Sequence, residues 1–339
     1  MNFGLPYKGS KNRIAKKILD VLPAAPVLYD VFCGGCAITH AALLSGKYSR
    51  VVANDINGMI PHAFETALAG GFRNEDRWIS RDDFQRLYKT DPYVATCFSF
   101  GNNLRWYCYA RELEPYKRAL HYAIFWKDIA PWAELCPETA DALKAAVESE
   151  TDRHKRRIKA GRAIVKELKA GLMNGTINPA VMDKPIYKKI RKEKTLGLRI
   201  KSAESVERLK SLEVLQTDES LCRLQSLERL ERITDVDVPP ILTVTTGNYR
   251  ALNFERGGII YCDPPYKNTR RYFNIPPVDY ERFYQWCEQQ ELPVYISECS
   301  MPENRFVPIA EFTVTRKPSE LTPTVYHERL WRPICQLGT

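Results

Sequence analysis

Short apolar runs alternate with helical spacings at both ends of the chain, whereas the middle is polar and helix-prone. Val27–Phe32 (VLYDVF) is apolar and lies between Pro26 and Gly34-Gly35, which predicts a buried parallel strand. Cys36–Gly46 has apolar side chains at helical spacing and stops at a glycine. Arg50–Asp55 predicts the next strand. Strand, turn, helix and strand make half of a doubly wound sheet, whose ligand crevice lies at the carboxyl ends of the strands. The α/β pattern returns late in the chain. Ile241–Thr246, Gly258–Asp263 and Pro293–Glu298 predict strands, and Asp279–Gln290 a helix. Glu311–Lys317 and Val325–Trp331 alternate in the β manner and predict an antiparallel pair at a sheet edge.

Between these ends, Met59–Val238 reads as mostly helical, with one or two long helices over Thr139–Gly171. Arg208–Leu215 (RLKSLEVL) is echoed by Arg223–Leu230 (RLQSLERL), and two copies are too few for a solenoid. The fold class expected is α/β, a nucleotide-type domain (1–58 and 241–339) split by a helical insertion (59–240).

Composition narrows the class of protein. With 339 residues, 44% of them hydrophobic, the chain suits one large α/β domain or a catalytic domain with an inserted lobe. No apolar run reaches the length of a membrane span and the N-terminus lacks a signal-peptide core, so a cytoplasmic protein is expected. The ten cysteines are scattered, which fits reduced thiols. Cys33 and Cys36 form a lone C-x-x-C with no second pair to complete a zinc site, and no metal is expected. Fifty basic residues against 41 acidic give a net charge of +9. The basic residues concentrate in Arg153–Lys169 and Lys184–Lys201. Such stretches suit either a polyanionic partner or a solvated helix face.

The sharpest chemical signal is Asp263-Pro264-Pro265-Tyr266, directly after the apolar strand GIIYC. Two consecutive prolines cannot continue a strand, so the chain leaves the sheet rigidly and holds Asp263 and Tyr266 over the crevice. The exocyclic nitrogen of adenine is a poor nucleophile because its lone pair is delocalised into the ring. A carboxylate accepting one N–H and a backbone carbonyl accepting the other would draw that nitrogen towards tetrahedral geometry. Asp263 and the Pro264 carbonyl suit these roles, and Tyr266 offers a face for a flipped base. The bland alternative is a Pro-Pro loop with a capping aspartate and a core tyrosine.

Two further segments accompany it. Asp30–Ala37 (DVFCGGCA) has glycines at a strand-to-helix turn, where backbone can approach a ligand closely. Asp55, ending the second strand, suits the hydroxyls of an adenosyl ribose or, equally, a helix N-cap. Phe3–Lys11 (FGLPYKGSK) stands near the N-terminus.

In this order, the three segments resemble the Dam-like DNA adenine methylases of the α group, including those carried by phages and prophages. The resemblance covers about Asn2–Asn57 and Ile241–Arg332, with a looser likeness at Ser99–Asn103 (SFGNN). It implies a Rossmann-like fold that uses S-adenosyl-L-methionine. It also implies cofactor contacts from Tyr7, Lys11, Asp30, Phe32, Gly34, Gly35 and Asp55, with Asp263, Pro264, Pro265 and Tyr266 gripping the target adenine. Two positions depart from the family pattern. Cys36 replaces the last glycine of F-x-G-x-G, leaving the close-approach role to Gly35. Asn248 stands where many relatives carry an acidic residue that contacts the cofactor's adenine; its carbonyl oxygen can still accept from an amine.

The inserted lobe is expected to supply recognition of double-stranded DNA. Lys188, Lys189, Arg191 and Lys192, interleaved with Tyr187, would track phosphates. Asn102, Asn103 and Arg105 would read bases, unless they merely order a loop. No obligate protein partner is evident, and a monomer is expected. The nearest alternative is cytosine-N4 methylation, against which the leading aspartate of D-P-P-Y argues. RNA or protein-glutamine methylation would put asparagine there. A silent DNA-binding module has no use for all three segments, and an NAD-dependent oxidoreductase lacks its dinucleotide fingerprint.

Overall fold

Every apolar run singled out above forms a strand in the computed structural model. The structure describes all residues except 1–2, 6, 73–74, 101–102, 188–241, 267–277, 317–323 and 339. The strands are β1 (Ala25–Asp30), β2 (Tyr48–Asp55), β3 (Leu242–Thr246), β4 (Ile259–Cys262), β5 (Val294–Glu298), β6 (Phe306–Arg316) and β7 (Thr324–Pro333). They make one mixed sheet in the order β3-β2-β1-β4-β5-β7-β6. The first five are parallel; β7 is antiparallel to both β5 and β6. This arrangement is compatible with the expected Rossmann-like fold.

The strand order reverses between β1 and β4, and a crevice at that switch point is where such sheets bind ligands. Asp30 ends β1, and Asp263 follows β4 directly. β4 and β5 are buried along their whole length, as strands covered on both faces require. Pro308 lies in β6, an edge strand, where its missing N–H costs no ladder bond and the register shifts by one residue. The predicted Glu311–Lys317 and Val325–Trp331 pairing is this β6–β7 ribbon, with Glu311 opposite Arg329.

The helices are α1 (Ala15–Val21), α2 (Ala37–Ser45), α3 (Met59–Leu68), α4 (Arg81–Leu87), α5 (Pro92–Cys97), α6 (Glu114–Trp126), α7 (Ala130–Leu135), α8 (Ala140–Glu148), α9 (Arg153–Asn174) and α10 (Tyr280–Glu288). The described residues group into two compact units. One draws on Met1–Asn74, Asp82–Trp106 and Arg229–Thr339; the other on Glu75–Arg81 and Tyr107–Glu228. The first contains the sheet, with Ile260, Val294 and Ile296 packed among Phe283 and Trp286 of α10. Its helices α2 and α10 begin and end where their sequences dictate. Gly46 closes α2 in the left-handed region, and the Asp279 carboxylate caps α10 by accepting from Arg282 N–H.

The second unit is helical. Asp152 accepts from Lys155 N–H to start α9, and Gly175, at φ +77°, ends it. Leu143 and Val147 of α8 pack with Ile164 and Leu168 of α9 and with Trp132. The segment Lys184–Lys201 departs from its expected character where it is described. Tyr187 is fully buried, its hydroxyl 3.1 Å from Thr139 Oγ1, and Lys184 is paired with Glu138 at 2.8 Å. An aromatic ring completes this core more favourably than it would face phosphates in water. Lys188, Lys189, Arg191, Lys192 and the repeated leucine segment lie outside the described residues. Among the described residues no helix is long and apolar enough to cross a membrane.

Candidate active site at the switch point

The glycine turn after β1 is packed against the protein's own N-terminal segment. Leu5 N–H donates to the Gly35 carbonyl at 2.7 Å. A Cβ on Gly35 would come within 2.5 Å of Tyr7 Cβ, and one on Gly34 within 3.1 Å of the Tyr7 ring. The close approach at Gly35 is therefore to Tyr7, which lies across the turn. Gly34 also needs its freedom for φ +46°. Cys36 has φ +57°, a left-handed conformation that glycine adopts without strain. Its thiol lies 3.6 Å from that of Cys33, and burial raises both thiols above the usual range.

Carboxylates surround this turn. Asp55 Oδ2 accepts from Gly34 N–H at 2.9 Å and Oδ1 from Asn57 N–H at 2.8 Å, so one side chain fixes both the glycine turn and the exit from β2. Asp30 is buried and its Oδ2 holds Thr39 of α2 through N–H and hydroxyl, at 3.1 and 2.7 Å. Burial pushes the Asp30 carboxyl up to about 7, and that of Asp55 upward as well. Phe32 packs against Tyr249 and Phe283, with ring centroids 4.9 and 5.7 Å away. Asn248 is exposed, and its Oδ1 caps a short turn by accepting from Arg250 N–H at 3.0 Å.

The D-P-P-Y segment takes part in a polar network centred on Lys11. The Lys11 ammonium donates to Asp263 Oδ1 and to the Tyr266 hydroxyl oxygen, both at 2.6 Å, and lies 4.7 Å from the Tyr266 ring centroid. Tyr266 in turn donates its proton to Glu328 Oε2. Glu328 Oε1 stands 3.6 Å from Lys11 Nζ and accepts no hydrogen bond among the described residues. The Tyr280 hydroxyl donates to the Pro265 carbonyl, tying the loop to α10, and Pro264 is buried. Burial pushes Asp263 up to about 6; Lys11 opposes the rise, while Glu328 and Asp55 add to it. Glu298, at the end of β5, is pushed up to about 7 by burial, with Asp263 and Glu328 contributing.

Residues 7–77 match the family model of the D12 class N6 adenine-specific DNA methyltransferases. The match covers about a fifth of the chain and supports its likeness to Dam-like adenine methyltransferases. It supports an enzyme of the adenine-specific DNA methyltransferase kind. The matched stretch spans Tyr7, Lys11, Asp30, Phe32, Gly34, Gly35 and Asp55, and ends before Asp263. No curated protein matches the chain.

Lys11 and Asp263 converge although 252 positions separate them. Lys11, expected with the cofactor residues, is bound directly to Asp263 and Tyr266. Glu298 and Glu328 were not anticipated. Their signal was weak: Glu298 ends a predicted strand, and Glu328 reads as one more charge in an alternating edge strand. Asn54 was also missed. It is buried, and its amide donates to the Val31 and Gly247 carbonyls at 3.1 Å each, joining the ends of β1 and β3. Among the described residues no group of three or more His, Cys, Asp or Glu is arranged to hold a metal ion.

The loop expected to read bases is partly described. Asn103 Oδ1 accepts from Arg105 N–H and Trp106 N–H, at 2.9 and 3.1 Å, so this side chain orders the loop. Arg105 lies over the Trp106 ring at 4.4 Å, and Phe100 and Trp106 are 62% and 56% exposed. Two large exposed aromatics and a guanidinium on one loop are unusual for a surface without a partner. Asn102 lies outside the described residues.

Proposed function

We propose that the protein transfers a methyl group from S-adenosyl-L-methionine to the N6 amine of adenine at a specific site in duplex DNA. In this reading the target base is flipped out and methylated directly, as in the α-group, phage-borne enzymes that the sequence resembles. The observation that carries the reading is Asp263, at the carboxyl end of β4, with one oxygen held by Lys11. Its side chain is 19% exposed, against 7% for Lys11 and 1% for Glu328. Asp263 is therefore the member of the trio that an entering base can reach.

The donor set fits the cofactor. Asp30, Asp55, Asp263, Glu298 and Glu328 bring five carboxyls to this end of the sheet, against the single ammonium of Lys11 in the network. An excess of carboxylate favours a cationic ligand. When bound, S-adenosyl-L-methionine supplies an electrophilic methyl group on a sulfonium. Phe32, Tyr7 and the turn at Gly34-Gly35 would hold it, with Asp55 at its ribose and Asn248 near its base. Asp263 Oδ2 then accepts one N–H of the target amine and the Pro264 carbonyl the other, while the Tyr266 ring stacks on the base. Asp263 takes the proton that the amine releases on methylation. Alignment supplies much of the rate, because donor and acceptor are both held.

DNA recognition is assigned to the helical unit and to the aromatic loop. Lys155, Lys159, Arg162 and Lys166 are exposed and recur at intervals of three or four along α9. They form a basic row about 16 Å long at 1.5 Å per residue. Duplex DNA carries one charge per about 1.7 Å, so such a row can lie along its backbone. Asn102, Asn103, Arg105, Phe100 and Trp106 supply contacts near the bases, and Lys188, Lys189, Arg191 and Lys192 further phosphate contacts.

The test is Asp263→Ala. Turnover on adenine-containing duplexes falls by about 10²- to 10⁴-fold, the usual share of a positioned proton acceptor, and S-adenosylmethionine affinity stays largely intact. Residual turnover with lost cofactor binding would contradict the assignment.

A further inference from the structure

We propose that Glu328 is a positioning residue for methyl transfer, acting through Tyr266 and Lys11 on the catalytic carboxylate. The inference rests on the reading of Asp263 as the residue that accepts from the target amine.

Hydrogen-bond direction carries it. An ammonium can only donate, so Lys11 donates both to Asp263 Oδ1 and to the Tyr266 oxygen. The Tyr266 hydroxyl has one proton, and Glu328 Oε2 receives it. Each bond in the chain from Glu328 to Asp263 therefore has one orientation. Glu328 fixes the Tyr266 proton, the Tyr266 oxygen fixes one Lys11 N–H, and Lys11 occupies one oxygen of Asp263. The second oxygen of Asp263 receives no hydrogen bond among the described residues. Asp263 thus meets the target amine with one oxygen committed and the other open.

Burial separates the roles of the two acids. Glu328 is 1% exposed, and its Oε1 has no hydrogen-bond partner among the described residues. A buried carboxylate with one unfilled oxygen is costly, and here its counter-charge is Lys11 at 3.6 Å. The sheet fixes its position. β7 pairs with β5 so that Glu298 stands opposite Arg329, one residue from Glu328, at the carboxyl end of the parallel strands.

A Glu328→Gln variant separates this role from a structural one. Glutamine keeps an acceptor for Tyr266 but removes the charge and turns an amide towards Lys11. We expect kcat to fall about ten- to a hundredfold, the scale of a small misplacement at a reacting centre. The KM values for S-adenosylmethionine and DNA should stay near those of the wild type. The pH profile is the readout that packing alone would not move. Asp263 faces Lys11 from the N-terminal segment, Asp30 and Asp55 at the ends of β1 and β2, Tyr261 of β4, Tyr266 in its own loop, Tyr280 of α10, Glu298 of β5 and Glu328 of β7. Removing the negative charge of Glu328 favours ionised Asp263, so the acid limb of kcat moves to lower pH. Glu328→Asp keeps the charge, which leaves the limb in place while kcat falls. It also serves if the glutamine variant fails to fold. In a double variant with Tyr266→Phe, the Glu328→Gln loss should largely disappear, because the connecting hydroxyl is gone. An active wild type with an unchanged Glu328→Gln rate and limb, or fully additive losses in the double variant, overturns the inference alone. A wild-type protein that methylates no adenine overturns the catalytic reading and this inference with it.

Discussion

Replacing Asp30 by asparagine should stabilise the ligand-free protein, and more so at alkaline than at acid pH. Asp30 is buried at the end of β1, and its Oδ2 accepts from Thr39 N–H and the Thr39 hydroxyl. Burial, opposed by these bonds and reinforced by Asp263 and Asp55, raises its carboxyl from 3.8 to about 7. A folded-state value raised above the unfolded one favours the folded protein most below pH 3.8. That advantage is lost as pH rises through about 7. At about 1.36 kcal/mol per pH unit, the ionised side chain costs about 4 kcal/mol once both states are ionised, and about 2 kcal/mol at pH 5. Asparagine keeps an acceptor for Thr39 and cannot ionise. Urea unfolding followed by tryptophan fluorescence should therefore show a gain for Asp30→Asn about 2 kcal/mol larger at pH 8.5 than at pH 5. The denaturant slope should not change. An equal gain at both pH values, or a variant less stable than wild type at pH 8.5, would refute the reasoning.

Gly35→Ala drives a methyl group to within 2.5 Å of Tyr7 Cβ, so the N-terminal segment must shift. Overpacking of this kind costs about 1–3 kcal/mol, and calorimetry should show S-adenosylmethionine affinity falling with it. Lys11→Met removes the ammonium that favours ionised Asp263. The acid limb of turnover should move above its wild-type position, opposite in sign to the shift expected for Glu328→Gln. Arg162→Glu with Lys166→Glu should weaken DNA binding alike on specific and unrelated duplexes, and reduce the salt slope by about 0.9 for each phosphate no longer neutralised. A fluorescence anisotropy titration with an unchanged slope would remove α9 from the interface.

The sheet was legible because its strands are short apolar runs closed by glycine, proline or aspartate, a pattern set by burial on two faces. Strand ends still shifted by up to five residues, as at β6, where Phe306–Ala310 lacks the alternation visible from Glu311 onward. Asp263 could be found because Pro264 and Pro265 fix where the chain leaves β4. Glu328 could not. In Val325–Trp331 it stands between His327 and Arg329 and reads as one more charge. Its burial follows from β7 inserting between β5 and β6, which is a matter of topology and not of local pattern. Lys11 was expected at the cofactor because it belongs to an N-terminal motif. Its bond to Asp263 depends on the glycine turn drawing that segment across the switch point. Tyr187 failed in the opposite direction: beside lysines it suggests a nucleic-acid surface, yet its ring completes the core of the helical unit.

The central claim is methyl transfer to the adenine amine, and product analysis tests it most directly. Purified protein is incubated with labelled S-adenosylmethionine and unmethylated duplex DNA, and the digested nucleosides are resolved by mass spectrometry. The account predicts label in N6-methyladenine, absent from the Asp263→Ala control. Label in N4-methylcytosine, or no methylated nucleoside despite measured cofactor binding, would contradict it.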